Sequence, residues 1–237
     1  MKSIIQTLAI AGFVVSTASA FGAANVTGKA NFKGKAPKAE SVRMDADPVC
    51  KKAHATPVQK FDIVVNGNGT LDNVFVFVKE GVKKEAIPAA KPGPLTFDQN
   101  GCMYTPHVFG MQVNQPLKII NSDPTLHNIH AMPKTNAAFN LGMATKGQTI
   151  EKTFTKPETM VRIKCDVHGW MNAYVGVLDH PWFATTDNTG SFTITDLPPG
   201  DYTLEAWHEK LGTQTAKITV PASGSPAPVE FNFGGQG

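Results

Sequence analysis

The chain has 237 residues, with 22 Lys and Arg against 19 Asp and Glu, and a formal net charge of +3. So small an imbalance excludes a general nucleic-acid binder, which needs a concentrated basic face. The composition is rich in Gly, Pro, Thr and Val, with short apolar runs between turn signals, which predicts an all-β protein.

Residues 1–20 read as a secretory signal. Lys2 supplies the positive end, residues 4–15 are mostly apolar, and Ala18-Ser19-Ala20 fits the small-residue cleavage pattern. The apolar stretch is too short to span a bilayer and no later segment is long enough. The expectation is therefore a soluble exported protein, periplasmic or secreted, starting near Phe21 and without a membrane span. Loss of Lys2 would take the net charge from +3 to +2.

From Asn25 to Gly34 the sequence alternates weakly through Val26, Ala30 and Phe32 and breaks at Pro37. Residues 43–59, with Pro48, Cys50, His54 and Pro57, read as a loop. Residues 61–65 read as a strand, and Asn66-Gly67-Asn68-Gly69 is a turn signal. An apolar β-rich run follows over residues 73–78. A lysine-rich segment with Pro88, Pro92 and Pro94 then forms the best linker. Residues 95–123 carry three strands and residues 148–154 one more. Val161, Ile163 and Cys165 share the buried face of a strand, because side chains alternate with period two. Ala173, Val175 and Val177 alternate again before His180-Pro181 stops that strand. The tail is a second β unit: a turn at residues 187–190, a strand, the Pro198-Pro199-Gly200 turn, another strand through Trp207, and two further runs at residues 218–220 and 229–233.

The narrowest chemical statement is Cys165-Asp166-Val167-His168-Gly169-Trp170-Met171, read with His127-Asn128 upstream. It offers a thiolate, two imidazoles and a thioether. A tight connection between two strands lets donors at spacings of three converge, which a straight strand cannot do. A His2Cys set with a weak axial Met suits copper that moves between its two oxidation states. Zinc takes Cys and His but has little use for a thioether. A c-type haem needs Cys-x-x-Cys-His, which the chain lacks. An inward-facing Cys165 is a poor nucleophile for want of access. His130 falls on the opposite strand face from His127. Met132 and Met143 are alternative axial donors, with core filling the better default. The chain has three cysteines, an odd number. If Cys165 is a ligand, Cys50 and Cys102 remain, either as a disulfide of an oxidising compartment or, with His54 and His107, as a second metal site.

The run Cys165-x2-His168-x2-Met171 with His127-Asn128-Ile129-His130 resembles the small blue copper proteins, the cupredoxins, of the amicyanin and plastocyanin kind. The segment from Tyr104-Thr105-Pro106 to Asn121-Ser122 resembles the strands that lead to the first ligand in that family. The resemblance spans residues 95–179. It implies a Greek-key β-sandwich with one type 1 copper held by His127, Cys165, His168 and axial Met171. It also implies Asn128 as an outer residue bracing the loop, and Trp170 as a shield or docking contact. Val167 stands where the family commonly has proline.

Gly190-x-Phe192 and Leu197-Pro198-Pro199-Gly200-x-Tyr202-x-Leu204 resemble the carboxypeptidase regulatory-like, or prealbumin-like, β-sandwich. Its usual opening strands look more like residues 26–34. The expected organisation is a signal at 1–20, an N-terminal β segment at 21–94, a cupredoxin unit at 95–181 and a smaller β unit at 182–237. The N-terminal segment is expected to pack with the last unit. The function that follows from the resemblance is single-electron transfer between redox protein partners, with no enzymatic reaction. The alternatives are a periplasmic copper carrier and a non-redox binding module on a cupredoxin scaffold.

Overall fold

The computed structural model describes residues 22–88 and 92–234. The signal expected over 1–20 lies outside the described residues. The chain begins with β1 (Ala24–Lys33), α1 (Pro48–Lys52) and β2 (Phe75–Glu80), followed by a short 3-10 turn at Lys84–Ala86. Next come β3 (Leu95–Asn100), β4 (Met103–Thr105), β5 (Val108–Gln112), β6 (Leu117–Asn121), β7 (His127–Met132) and β8 (Phe139–Met143). β9 (Thr149–Lys152), β10 (Glu158–Lys164), β11 (Asn172–Leu178) and β12 (Phe183–Thr185) follow. The tail holds β13 (Ser191–Leu197), β14 (Gly200–His208), β15 (Gly212–Val220) and β16 (Val229–Gly234). The protein is all-β, as the composition predicts.

Two pairs of sheets enclose two apolar interiors. The five-stranded sheet β5-β11-β10-β7-β8 faces the four-stranded sheet β4-β3-β6-β9 across a core that includes Phe97, Ile119, Ile129, Ile163 and Val175. The sheets β13-β1-β16 and β12-β2-β14-β15 enclose the other, around Val26, Val76, Leu204, Phe231 and Phe233. β1 pairs antiparallel with β13 and parallel with β16, so Gly28 lies opposite both Phe192 and Val229.

β2 joins the two bodies. Its alternation sends Val76 and Val78 into the second core, while Phe75 and Phe77 form a smaller cluster with Val108 and Leu178 of β5 and β11. Two glycines make room there. A Cβ on Gly176 would sit 2.5 Å from the Phe75 ring, and one on Gly110 would sit 2.3 Å from Phe183.

Three local expectations need correction. Residues 61–65 are bends with one isolated bridge, Val65 to Leu71. The turn at Asn66 brings Leu71 back, but Asn73 at φ 60° redirects the chain before a second pair forms. The loop at residues 43–59 contains α1, because the Asp47 carboxylate caps the Val49 and Cys50 N–H groups and Pro48 fits the first turn. Where three strands are expected over residues 95–123, the chain forms four, the extra one being the short hairpin partner β4.

Candidate metal centre

β10 delivers Cys165 and β7 opens on His127, so adjacent strands of one sheet place the thiol and the first imidazole side by side. The loop after Cys165 is closed by its own backbone. Met171 N–H donates to His168 C=O at 2.9 Å, and Cys165 N–H donates to Met171 C=O at 3.1 Å. This fold returns His168 to Cys165, whose sulfur accepts the His168 N–H at 3.3 Å. Met171 closes the loop and is fully buried.

The donor atoms converge. His127 Nδ1 lies 2.9 Å from His168 Nδ1, and His168 Nδ1 lies 4.0 Å from Cys165 Sγ. One atom from each of the three residues falls within 4.8 Å of the others, and all three residues are buried. Metal–nitrogen bonds of about 2.0–2.1 Å and metal–sulfur bonds of about 2.3 Å place such donors about 3–4 Å apart. The set fits a metal ion.

The tautomers point the same way. His127 Nε2 faces Asp123 Oδ2 at 2.9 Å, and His168 Nε2 faces Asp47 Oδ2 at 3.1 Å. A carboxylate only accepts, so each imidazole donates through Nε2 and turns Nδ1 toward the other ring. Two facing lone pairs need a positive species between them, either a shared proton or a metal ion. Burial opposes the charged form of His127, but Asp123 and the Cys165 sulfur more than offset it and push its pKa up to about 9. Burial holds His168 below its usual value, against the pull of Asp47. The bridging proton therefore sits on His127, and metal binding must displace it. Cys165 is also lowered: burial works against the thiolate, while His127 and the backbone N–H groups of Asn128, His168 and Val167 outweigh it.

Sequence reading placed Asn128 and Trp170 beside this set, and both make contacts there. Asn128 Oδ1 accepts the Asp166 N–H at 2.6 Å, and its Nδ2 donates to Asp166 Oδ2 at 3.1 Å. Trp170 donates to Cys102 C=O at 2.9 Å, with its ring centroid 5.0 Å from that of His168. His130 turns away and pairs with Asp166 at 2.9 Å. Met143 is buried, and its sulfur receives a hydrogen bond from Gln99.

The second metal site weighed for Cys50 and Cys102 is overturned, because these two form a disulfide. His54 instead bonds Gly101 C=O, and His107 bonds Glu209 and Asn172 C=O. Asp47 and Asp123 escaped sequence reading. The Asp-Pro opening of α1 and the i,i+4 relation of Asp123 to His127 were the available signals.

The carboxypeptidase regulatory-like domain model matches residues 171–233. Among solved structures, the chain is similar to the Cu-containing nitrite reductase of Thermus scotoductus SA-01, with 22% identity over 43% of this chain and a TM-score of 0.34. It spans only 25% of that enzyme. It is similar to a purple cupredoxin from Nitrosopumilus maritimus, with 19% identity over 35% of this chain and 97% of the other, TM-score 0.30. An oxidised point mutant of amicyanin shows 23% identity over 43% of this chain and 97% of its own, TM-score 0.33. A search of the curated proteins finds no match. The chain thus resembles cupredoxins in one part and the carboxypeptidase regulatory-like domain in another.

Proposed function

We propose that this protein holds one type 1 copper and carries single electrons between redox protein partners. His127, Cys165 and His168 are its equatorial ligands and Met171 its axial one. The observation that carries this reading is the pair of Nδ1 atoms facing each other at 2.9 Å beside the Cys165 sulfur. Copper supplies a one-electron couple, and thiolate, imidazole and thioether together suit both of its oxidation states.

The protein's part is to keep the donors still. Asp123 and Asp47 fix the imidazole tautomers, as outer hydrogen bonds do for metal ligands generally. Asn128 ties the thiolate loop to β7 through Asp166. Trp170 covers the His168 side. Electron transfer makes and breaks no substrate bond, so the protein is not an enzyme on this reading. Export to the periplasm or beyond belongs to the same proposal and agrees with the disulfide. No helix among the described residues is long and apolar enough to cross a membrane. The proposed organisation is a cupredoxin unit at 95–181 and a regulatory-like unit at 182–237 that shares strands with the N-terminal segment.

The test is the visible spectrum of Cu(II)-loaded protein beside Cys165→Ser. An intense thiolate-to-copper band at one copper per chain, lost in the variant, is the expected result. A protein that binds copper without colour would overturn the electron-transfer reading in favour of a carrier. A protein that binds no copper would leave the scaffold reading.

A further inference from the structure

His168 is only 3% exposed. What covers it comes from far away in the chain. α1 lies over the ring, with Asp47 Oδ2 at 3.1 Å and Cys50 Sγ at 3.6 Å from Nε2. Trp170 covers another side. Asp47 does three things at once. Oδ1 caps α1 by accepting from Val49 N–H at 2.7 Å and Cys50 N–H at 3.3 Å. Oδ2 accepts from Thr125 Oγ1 at 2.8 Å and faces His168. Thr125 itself lies two residues before His127, so the carboxylate touches both ligand-bearing segments.

The position of Asp47 is fixed from the other side by the Cys50–Cys102 disulfide. Cys102 sits in the turn whose N–H groups hold Asp123. Gly101 N–H and Cys102 N–H donate to its two oxygens at 2.8 and 2.7 Å. Asp123 in turn holds His127. One covalent link therefore joins the two backbone segments that orient the two imidazoles. Because both of its sulfurs are bonded to each other, neither is a thiolate donor beside His168.

Resting on the copper reading, we propose that Asp47 is the positioning residue for His168, and that the Cys50–Cys102 disulfide is what keeps it within reach. Asp47 holds the Nε2–H tautomer and so commits Nδ1 to the metal. A segment outside the strands that bear the ligands thereby completes the centre.

Capping and positioning are separable by substitution. Serine at position 47 still caps a helix but is too short to reach the imidazole as well, whereas asparagine caps through its one amide oxygen and turns an NH2 donor toward Nε2, which favours the opposite, Nδ1–H tautomer. The experiment is nitrogen NMR of the histidine rings in metal-free full-length protein, for wild type, Asp47→Asn, Asp47→Ser and the double variant Cys50→Ser/Cys102→Ser. Wild type is expected to show His168 as the Nε2–H tautomer, and Asp47→Asn a shift toward Nδ1–H. Asp47→Ser and the double variant are expected to show a mixture of tautomers, with His180 and His208 unmoved. In the Cu(II) form, all three variants should shift the thiolate band.

A wild-type His168 signal in Asp47→Ser or in Asp47→Asn would overturn the positioning role. Movement of His180 and His208 together with His168 in the double variant would make the disulfide a general staple and overturn its part. If the rings respond as expected but no blue band exists in wild type, the positioning stands and the copper reading fails.

Discussion

Four histidines are under 5% exposed, two in each body of the protein, and they are used in opposite ways. His180 donates through Nε2 to Val78 C=O at 2.9 Å and accepts the Trp182 N–H on Nδ1 at 3.2 Å. His208 accepts the Lys210 and Leu211 N–H groups on Nδ1 at 3.1 and 3.3 Å. These rings are tied to backbone, and burial holds both below their usual pKa, His208 down to about 4. His127 and His168 have carboxylates behind them and each other in front. Burial alone does not distinguish a ligand from a structural histidine. The distinction lies in what the second nitrogen is left to do, since a nitrogen satisfied by backbone has nothing to offer a metal.

The comparison can be broken most forcefully at the disulfide. Closing a separation of 52 residues, it is worth about 4 kcal/mol on the chain-entropy model. Cys50→Ser/Cys102→Ser should lower the unfolding free energy of the body that holds His127 and Cys165 by that amount, read as a fall in the urea midpoint, and an unchanged midpoint would mean the staple is redundant. Next in size is pH. His208 has its pKa lowered from 6.5 to about 4, so its contribution is complete above 6.5 and shrinks as the unfolded chain takes up a proton below that. The loss levels off below about 4 at about 3 kcal/mol. Denaturation between these limits, with His208→Gln as the control that flattens the profile, checks it.

Asp123→Ala acts at the other pair. It leaves the Gly101 and Cys102 N–H groups without their acceptor, at a cost of about 1–3 kcal/mol. It should also remove a main support of the raised His127 pKa, which ring NMR of the metal-free protein would report as a fall from about 9. The smallest effect is at Asn128→Ala, about 0.5–1.5 kcal/mol for hydrogen bonds that are partly exposed. Its mark should be a displaced thiolate band in Cu(II) protein with unfolding almost unchanged.

What the sequence discloses divides along the same line. The all-β class follows from local pattern, and so does the inward face of Cys165, because alternation is a property of neighbours. Val161, Ile163 and Cys165 are all buried, as period two requires. The loop from Cys165 to Met171 is likewise legible, since three donor types lie within seven residues. The partners behind the imidazoles were not legible. Asp47 is 121 residues from His168, and no periodicity links them; only the folded chain brings α1 over the ring. α1 itself hid within a proline-containing stretch, although Asp47 followed by Pro48 is a helix-start signal. The strand expected over residues 61–65 failed for a related reason. Its apolar residues pack against the cores as side chains, while its backbone pairs only through the Val65–Leu71 bridge.

The position of β1 bears on how the chain is made. This strand is synthesised well before its neighbours β13 and β16, which begin at Ser191 and Val229. At about 5–20 residues per second, β1 waits on the order of ten seconds or more for its partners to emerge. The strands that carry His127 and Cys165 lie wholly within that interval, and so do their ladder partners β8 and β11. The sheet that carries His127 and Cys165 can therefore assemble before β13 and β16 emerge, and the parallel β1–β16 pairing closes after it.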